Sequence, residues 1–150
     1  MLIVGLFIAF QLLFPWRYLL YKNELFWTEE GYRFSWRVML MEKAGYAQFK
    51  IVDKKKGTAF LVDNTDFLST FQEKQMSTQP DFILQYAQFL GKHFTAQGHK
   101  NVAVYVESYV ALNGRLSQPY IDPKVNLLEQ EESFGPKDWI LEFKDEIKGF

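Results

Sequence analysis

The chain has 150 residues, and its 17 Lys and Arg against 18 Asp and Glu give a formal net charge of −1. Because phosphate binding needs clustered Lys and Arg, this balance gives no reason to expect a nucleic-acid partner. Aromatic residues make up 18% of the chain, which favours a packed domain over a disordered one. The absence of cysteine excludes disulfides, thiolate ligands and a cysteine nucleophile, and it leaves the redox compartment open.

An apolar segment opens the chain. Residues 1–14 carry no charge and one polar side chain, Gln11, and the next seven residues add only Arg17 as a charge. The run approaches the ~20 residues that a membrane-spanning helix needs. The alternatives are a buried core helix and a signal peptide, although the basic start and small-residue cleavage site of a signal peptide are missing. We predict a transmembrane or membrane-associated helix over residues 1–21 and one soluble domain over residues 22–150.

The end of this segment has its own composition. Residues 14–18 read FPWRY and combine three aromatic side chains with one proline and one arginine. Proline ends or kinks a helix, and aromatic and basic side chains concentrate at the depth of the lipid headgroups. We therefore predict that residues 14–18 form an interfacial belt where the helix leaves the membrane.

An aromatic segment, WTEEGYRFSWRVMLMEK, occupies residues 27–43. It holds two of the chain's four tryptophans beside Tyr32 and Phe34, and a buried tryptophan needs a partner for its indole N–H. We therefore expect a shaped aromatic surface in this segment. From Ser35 onward the side chains alternate as in a strand, which predicts a turn followed by a strand that ends at Lys43.

Two strands joined by a basic turn follow. Residues 46–53 alternate apolar and polar side chains, residues 54–57 read KKKG, and residues 58–62 form the second strand. The three lysines are either a patch for lipid headgroups or a solvated loop, and a solvated loop is the commoner meaning of so short a run. The sequence therefore predicts a β-hairpin here.

Two helices are predicted beside this hairpin. Residues 63–66, DNTD, can cap a short helix that ends at Met76, since their side-chain oxygens accept from free N–H groups. Calcium binding by the same aspartates is disfavoured because the oxygen-rich loop with a closing Glu is missing. Residues 80–97 repeat apolar side chains at three- and four-residue spacing and predict the second helix, with Gly98 just past its end.

The C-terminal part begins with a strand pattern over residues 101–112, followed by Asn113-Gly114, the strongest short hairpin signal. The last residues, from 144 onward, have the composition of a frayed end. These patterns predict an α+β fold, in which an N-terminal apolar helix precedes a mainly antiparallel β-sheet domain with two helices packed on it. Further strand content is present at residues 115–121, 125–128 and 139–143.

Local motifs for catalysis or metal binding are absent from the sequence: it has no Gly-x-Ser-x-Gly, no glycine-rich phosphate loop and no His-Glu-x-x-His. Glu29 and Glu30 are adjacent, but neighbours on a turn point in different directions, which favours a solvated loop over an acid–base pair. His93 and His99 lack the spacing of paired ligands, so a surface residue and a helix cap are favoured over a metal site. On its residues alone we predict a membrane-anchored α+β binding module.

Two stretches carry a resemblance to a known family. Residues 27–39 read Trp-Thr-x-x-Gly-Tyr-x-Phe-Ser-Trp-x-x-Met, and residues 112–129 read LNGRLSQPYIDPKVNLLE, with an Asn-Gly-Arg turn, a strand and Asp-Pro-x-Val. In this order and spacing the chain resembles the vitamin K-dependent gamma-glutamyl carboxylases and their bacterial relatives, and the likeness covers roughly residues 14–129. The family consists of multi-span membrane proteins with a soluble C-terminal part.

The resemblance implies that the chain is a C-terminal fragment whose first segment is the last span of a larger bundle. It implies part of a carboxylase, a lyase that modifies glutamyl side chains of proteins with reduced vitamin K, oxygen and carbon dioxide. The family's base is a lysine ahead of this segment, so no catalytic residue, no bound cofactor and no activity are expected in the fragment alone. The implied partners are the membrane, the upstream bundle and a glutamyl peptide, with the domain outside the cytoplasm.

The resemblance also implies a site, because the family's Tyr-Ser-Trp region lies where glutamate binds. Phe34 stands where the family's aromatic residue can be tyrosine, and Met41 stands where some members have histidine, which alters the polar part of the pocket. The alternative is a non-enzymatic, membrane-anchored interaction or binding module. The substrate-binding residues that the resemblance implies are Trp27, Tyr32, Phe34, Ser35, Trp36 and Met39.

Overall fold

The computed structural model describes residues 2–37 and 39–145. Its first helix, α1 (Leu2–Leu13), continues into a 3₁₀ helix over Phe14–Leu20. Among the described residues, Leu2–Leu20 is one helix that is long and apolar enough to cross a membrane, and almost none of it is buried. This exposure argues against a buried core helix, whereas a signal sequence would pass the same test of length and composition.

A four-stranded antiparallel sheet forms the centre of the domain, in the order β2-β1-β3-β4. β1 and β3 pair over their full lengths, and from Ala47 and Val104 onward their alternate side chains are buried. β1 also pairs with β2, which confirms the predicted hairpin. The burial of alternate side chains confirms the predicted alternation. The strands are β1 (Lys43–Asp53), β2 (Thr58–Leu61), β3 (Val102–Leu112) and β4 (Gln118–Pro119).

Two helices, α3 (Thr70–Met76) and α4 (Pro80–Ala96), pack on the buried face of the sheet. The ring of Phe49 in β1 lies edge-on to Tyr86 in α4, with 5.0 Å between the ring centroids. α4 begins at a proline, which needs no N–H at that position, and ends before Gly98, whose φ is +95°. The predicted α+β fold, with two helices on an antiparallel sheet, is confirmed.

The strand predicted from Ser35 to Lys43 is wrong. The described residues of this stretch form turns and bends up to β1, which begins at Lys43, while Val38 lies outside the described residues. Lys43 pairs with Leu112, the last residue of β3, and the chain then turns away at Asn113. Because no strand lies opposite the residues before Lys43, their alternation has no partner with which to form a ladder.

The cap predicted at residues 63–66 is also corrected. These residues make a separate 3₁₀ turn over Asn64–Asp66, in which the Asp63 side chain accepts from the Thr65 N–H at 2.9 Å. The helix that ends at Met76 is capped by Ser69, which exchanges hydrogen bonds with Gln72 in a capping box. The box satisfies two free N–H groups at once, so it defines the start of α3.

The Asn113-Gly114 turn is present, with φ of 49° and 73° and an Arg115 N–H donating to the Leu112 oxygen at 3.0 Å. Pairing resumes only in β4, so the return strand predicted over residues 115–121 is shorter than expected. Residues Leu127–Glu129 form a 3₁₀ helix instead of a strand, and the stretch at 139–143 contributes one bridge, Ile140 with Ile121. The fraying predicted from residue 144 falls mostly on residues 146–150, outside the described part.

Candidate functional site

The aromatic segment starts inside a short buried helix, α2 (Leu25–Thr28). Trp27 is fully buried, its indole N–H donates to the Leu141 oxygen at 2.7 Å, and its ring packs against those of Tyr120 and Phe143. Glu29 ends the helix in the left-handed conformation, with φ of 60°. Trp27 is therefore an anchor in the core, and the surface begins after it.

A buried lysine holds this helix against the sheet. The Lys43 ammonium group donates to the Trp27 oxygen at 2.8 Å, to Glu29 Oε1 at 2.7 Å and to the Tyr120 hydroxyl at 3.0 Å. Burial lowers the pKa of Lys43, and the charge of Glu29 acts in the opposite direction. Burial, and then the negative charges of Glu29 and Asp81, raise the pKa of Tyr120 well above its usual value. The pattern of contacts makes Lys43 a positioning residue.

The six residues that the resemblance implies fall into two groups. Trp27 and Ser35 are buried, and Tyr32 is half-buried with its ring 6.3 Å from that of Phe26. Phe34, Trp36 and Met39 are 79%, 73% and 92% exposed. Phe34 and Met39 themselves have positive φ values, of 62° and 61°. The structure thus separates residues that hold the turn from residues that a ligand can touch, and the exposed ones are Phe34, Trp36 and Met39.

Ser35 stabilises the turn locally. Its N–H donates to the Tyr32 oxygen at 3.0 Å, and its hydroxyl oxygen accepts from the Arg37 N–H at 3.4 Å. Gly31, at the start of the turn, has a φ of +75°, and a Cβ there would lie 2.8 Å from the Tyr18 Cα. The turn therefore packs directly on the 3₁₀ segment that ends the apolar helix, and a larger residue at position 31 would separate them.

The exposed aromatic side chains continue onto the end of the apolar segment. The ring of Phe34 lies 6.2 Å from that of Phe14, and the Arg37 guanidinium lies 4.9 Å above the ring of Tyr18. Trp16 and Trp36 line one open groove together with Tyr18 and Arg37. Trp16, Phe34 and Trp36 are thus exposed where the apolar helix meets the domain.

A cavity of about 270 Å³ lies at the same junction, between the 3₁₀ segment, the turn and residues 132–137. Phe14 and Phe34 supply apolar wall, and the charged side chains come from four separate parts of the chain. The charged residues of the lining are Arg17, Arg33 and Lys137 on the basic side, and Glu29, Glu30, Asp81 and Glu132 on the acidic side.

The carboxylates of this cavity all have partners. Asp81 pairs with Arg33 at 3.0 Å and with the Lys137 ammonium group. Glu30 accepts from the Lys137 N–H at 2.6 Å and from Asn23 at 3.3 Å. Glu29 accepts from Lys43, and Glu132 accepts from Gln85. Every acidic side chain of the lining therefore has a hydrogen-bond partner within the described residues.

Arg17 differs from these groups. Its Nε and Nη1 atoms are buried without a hydrogen-bond partner among the described residues, and its guanidinium lies 4.4 Å above the ring of Phe14. The sequence assigned Arg17 to an interfacial belt and gave Lys43 and Tyr120 no role. A lone arginine in an apolar run was the available signal for Arg17, whereas no local pattern pointed to the other two.

The two histidines contact aromatic rings and a carboxylate. His93 lies among the rings of Phe67, Phe89 and Phe94, and His99 lies 3.2 Å from the buried carboxylate of Asp53. Across residues 2–37 and 39–145, no group of three or more His, Cys, Asp and Glu side chains could hold a metal ion.

The protein is an α+β domain that follows one apolar N-terminal helix. A cavity lined by charged side chains lies where this helix meets the domain. The model of the family "Vitamin K-dependent gamma-carboxylase, lumenal domain" matches residues 1–146. The chain therefore belongs to the family of vitamin K-dependent gamma-carboxylase lumenal domains, and the resemblance seen in the sequence is confirmed. No solved structure matches the chain.

Proposed function

We propose that this chain is the C-terminal part of a membrane-bound gamma-glutamyl carboxylase-like protein, and that it contributes contacts to a glutamyl substrate. The observation that carries the proposal is the match of residues 1–146 to the lumenal domain of that family. The apolar segment Leu2–Leu20 would be the last span of the upstream bundle, and the domain would face the extracytoplasmic side.

The substrate contacts come from the exposed part of the aromatic segment. Phe34, Trp36 and Met39 are large apolar side chains in solvent within one six-residue stretch, and exposed apolar surface of this kind marks a candidate binding site. Phe34 and Met39 also have positive φ, which costs a non-glycine residue about 1 kcal/mol or more and clusters at functional sites. Trp27, Tyr32 and Ser35 support these contacts from behind, by holding the turn in place.

The chain does not supply the base of the reaction. Lys43 is the buried lysine near the aromatic segment, and its three ammonium hydrogens are already donated to Trp27, Glu29 and Tyr120. A base must instead be free to accept a proton from the quinol. Lys43 is thus engaged elsewhere, and we place the reduced vitamin K quinol with oxygen, carbon dioxide and the catalytic lysine in the upstream bundle.

The test is incorporation of labelled carbon dioxide into a glutamyl peptide by the intact protein, with its upstream spans, in membranes supplied with a reduced quinol. Incorporation that a glutaminyl peptide does not support is the expected result. If no quinol supports incorporation although the protein is folded and inserted, the enzyme assignment is wrong. The chain would then be a non-enzymatic, membrane-anchored binding module.

A further inference from the structure

We infer that the cavity beside Arg17 binds one carboxylate group of a peptide substrate, with the Arg17 guanidinium as its donor. The inference rests on the proposed function, and it adds a site and a residue that the aromatic segment does not include. Arg17 lies in the 3₁₀ helix at the end of the apolar segment and lines the cavity of about 270 Å³.

The first argument is the unmatched charge. A buried guanidinium nitrogen without an acceptor is costly, because the hydrogen bonds it made to water are lost and not replaced. Arg17 leaves two such nitrogens, Nε and Nη1. The N–H groups of Nε and Nη1 point in different directions, so one carboxylate can reach only one of these nitrogens. Nη1 and Nη2 are the terminal pair with which arginine holds a carboxylate in a fork, and a carboxylate from outside the chain would give Nη1 the acceptor that it lacks.

The second argument is that three of the cavity's four acids are already held in place by other groups. Asp81 is held by two cations, Glu29 by Lys43, Glu30 by the Lys137 N–H, and Glu132 by Gln85. Turning Asp81, Glu29 or Glu30 toward Arg17 would leave another donor unmatched, whereas Glu132 and Gln85 are both exposed to solvent. On this inference, the acceptor that Arg17 lacks comes from outside the described residues, as the carboxylate of a ligand.

The third argument concerns the kind of ligand. The cavity is slightly smaller than the ~300–1,000 Å³ of ordinary small-molecule sites, so it suits a single side chain. The rings of Phe14 and Phe34 give the methylene groups of such a side chain an apolar wall. The lining carries four acidic and three basic side chains, so it repels a doubly charged phosphate more strongly than a singly charged carboxylate.

Entry of a carboxylate requires two local movements. Nε and Nη1 are covered in this arrangement, so the guanidinium must turn toward the cavity that it already lines. Phe34 is 79% exposed on a turn, and its ring is the wall element that can move without disturbing the core. Binding of the carboxylate should therefore be accompanied by a change at both Arg17 and Phe34.

The experiment uses the full chain in nanodiscs of zwitterionic lipid. An acetylated, amidated glutamyl peptide and its glutaminyl analogue are titrated while the terminal guanidinium N–H resonance of Arg17 is followed by NMR. We expect the glutamyl peptide to shift and protect this resonance and to bind at least tenfold more tightly than the analogue, because a charge-assisted fork is stronger than a neutral contact.

The variants isolate the residue. Arg17→Gln should weaken glutamyl binding at least tenfold, Arg17→Lys should retain part of it, and Lys22→Gln, at an exposed cation two residues after the 3₁₀ helix, should leave it unchanged. If Arg17→Gln does not fold, Ser133→Trp on the exposed rim should obstruct the cavity while the arginine stays in place. Melting curves identify the folded variants.

Each remaining outcome decides the matter. Equal glutamyl binding by wild type and Arg17→Gln overturns the cavity assignment and leaves the proposed function standing. Binding that depends on Arg17 in an intact protein without carboxylation supports the cavity and removes the enzyme. Loss of glutamyl selectivity, with Arg17-dependent affinity for phosphatidylglycerol nanodiscs or inorganic phosphate instead, assigns the arginine to phosphate groups and overturns the inference.

Discussion

The Lys43 ammonium group donates a hydrogen bond of 2.8 Å to the main-chain oxygen of Trp27. The bond joins the first residue of β1 to α2, sixteen residues earlier. The same ammonium group holds Glu29, at the end of α2, and the hydroxyl of Tyr120 from the C-terminal part of the chain. One buried cation thus fixes the base of the turn from which the exposed aromatic side chains project.

We expect Lys43→Met to lower the free energy of unfolding by about 3–5 kcal/mol, because Glu29 would keep a buried charge without its cation. The two side chains are only 4% and 11% exposed, so solvent does not compensate. Urea unfolding in detergent measures the change. The double variant Lys43→Met with Glu29→Gln is the control and should recover part of the loss. Equal midpoints for Lys43→Met and wild type would contradict the role of Lys43.

The two tryptophans of the aromatic segment should respond differently to truncation. Trp27→Ala leaves a cavity in the core and should cost about 3–5 kcal/mol, whereas Trp36→Ala, at a side chain 73% exposed, should change stability by about 0.5 kcal/mol or less. In the intact protein, Trp36→Ala should instead weaken use of a glutamyl peptide, measured as kcat/KM. Normal kcat/KM for Trp36→Ala, together with Phe34→Ala and Ser35→Ala, would remove the aromatic segment from the substrate site.

Stability should fall with acid through Asp53. Its carboxylate accepts from the N–H groups of Lys56, Lys100 and Lys55 and contacts His99, and the Lys56 contact is the main reason that its pKa is lowered from 3.8. A lowered carboxyl pKa contributes stability that is fully present above 3.8 and is lost as pH falls through the folded value.

The measurement for Asp53 is the melting temperature of wild type and Asp53→Asn between about pH 2 and pH 7, the range around the titration of a carboxyl group. The gap between the two should be largest near neutral pH and should close below pH 3.8. Asp138→Asn, at an exposed position, serves as the control and should show no such gap. A gap for Asp53→Asn that stays constant with pH would rule out this linkage.

The apolar segment should be removable only in part. α1 has no buried residue, so a variant that begins at Phe14 should keep the domain's melting transition and stay in solution without detergent. A longer truncation that removes Pro15 and Arg17 should destabilise the domain, because Pro15 is buried and Gly31 packs against the same segment. A wild-type chain that remains monomeric in buffer without detergent would refute the membrane interpretation.

Local rules were sufficient for the sheet and the long helix. Alternate side chains identified the buried face of β1 and β3, Asn113-Gly114 identified a turn that needs two positive φ values, and Pro80 and Gly98 bounded α4 within two residues. Each of these signals depends on the conformation of a few adjacent residues, so it is contained in the sequence itself.

The surroundings of the candidate site were decided by contacts between distant residues. The alternation after Ser35 could not give a strand, because β3 ends opposite Lys43 and offers no further partner. Glu30 meets Lys137 across 107 positions, and Trp27 meets Leu141 across 114. The sequence determined which side chains are apolar or charged, and only the tertiary structure decided which are covered and which keep an unmatched donor, since burial depends on the packing of whole elements.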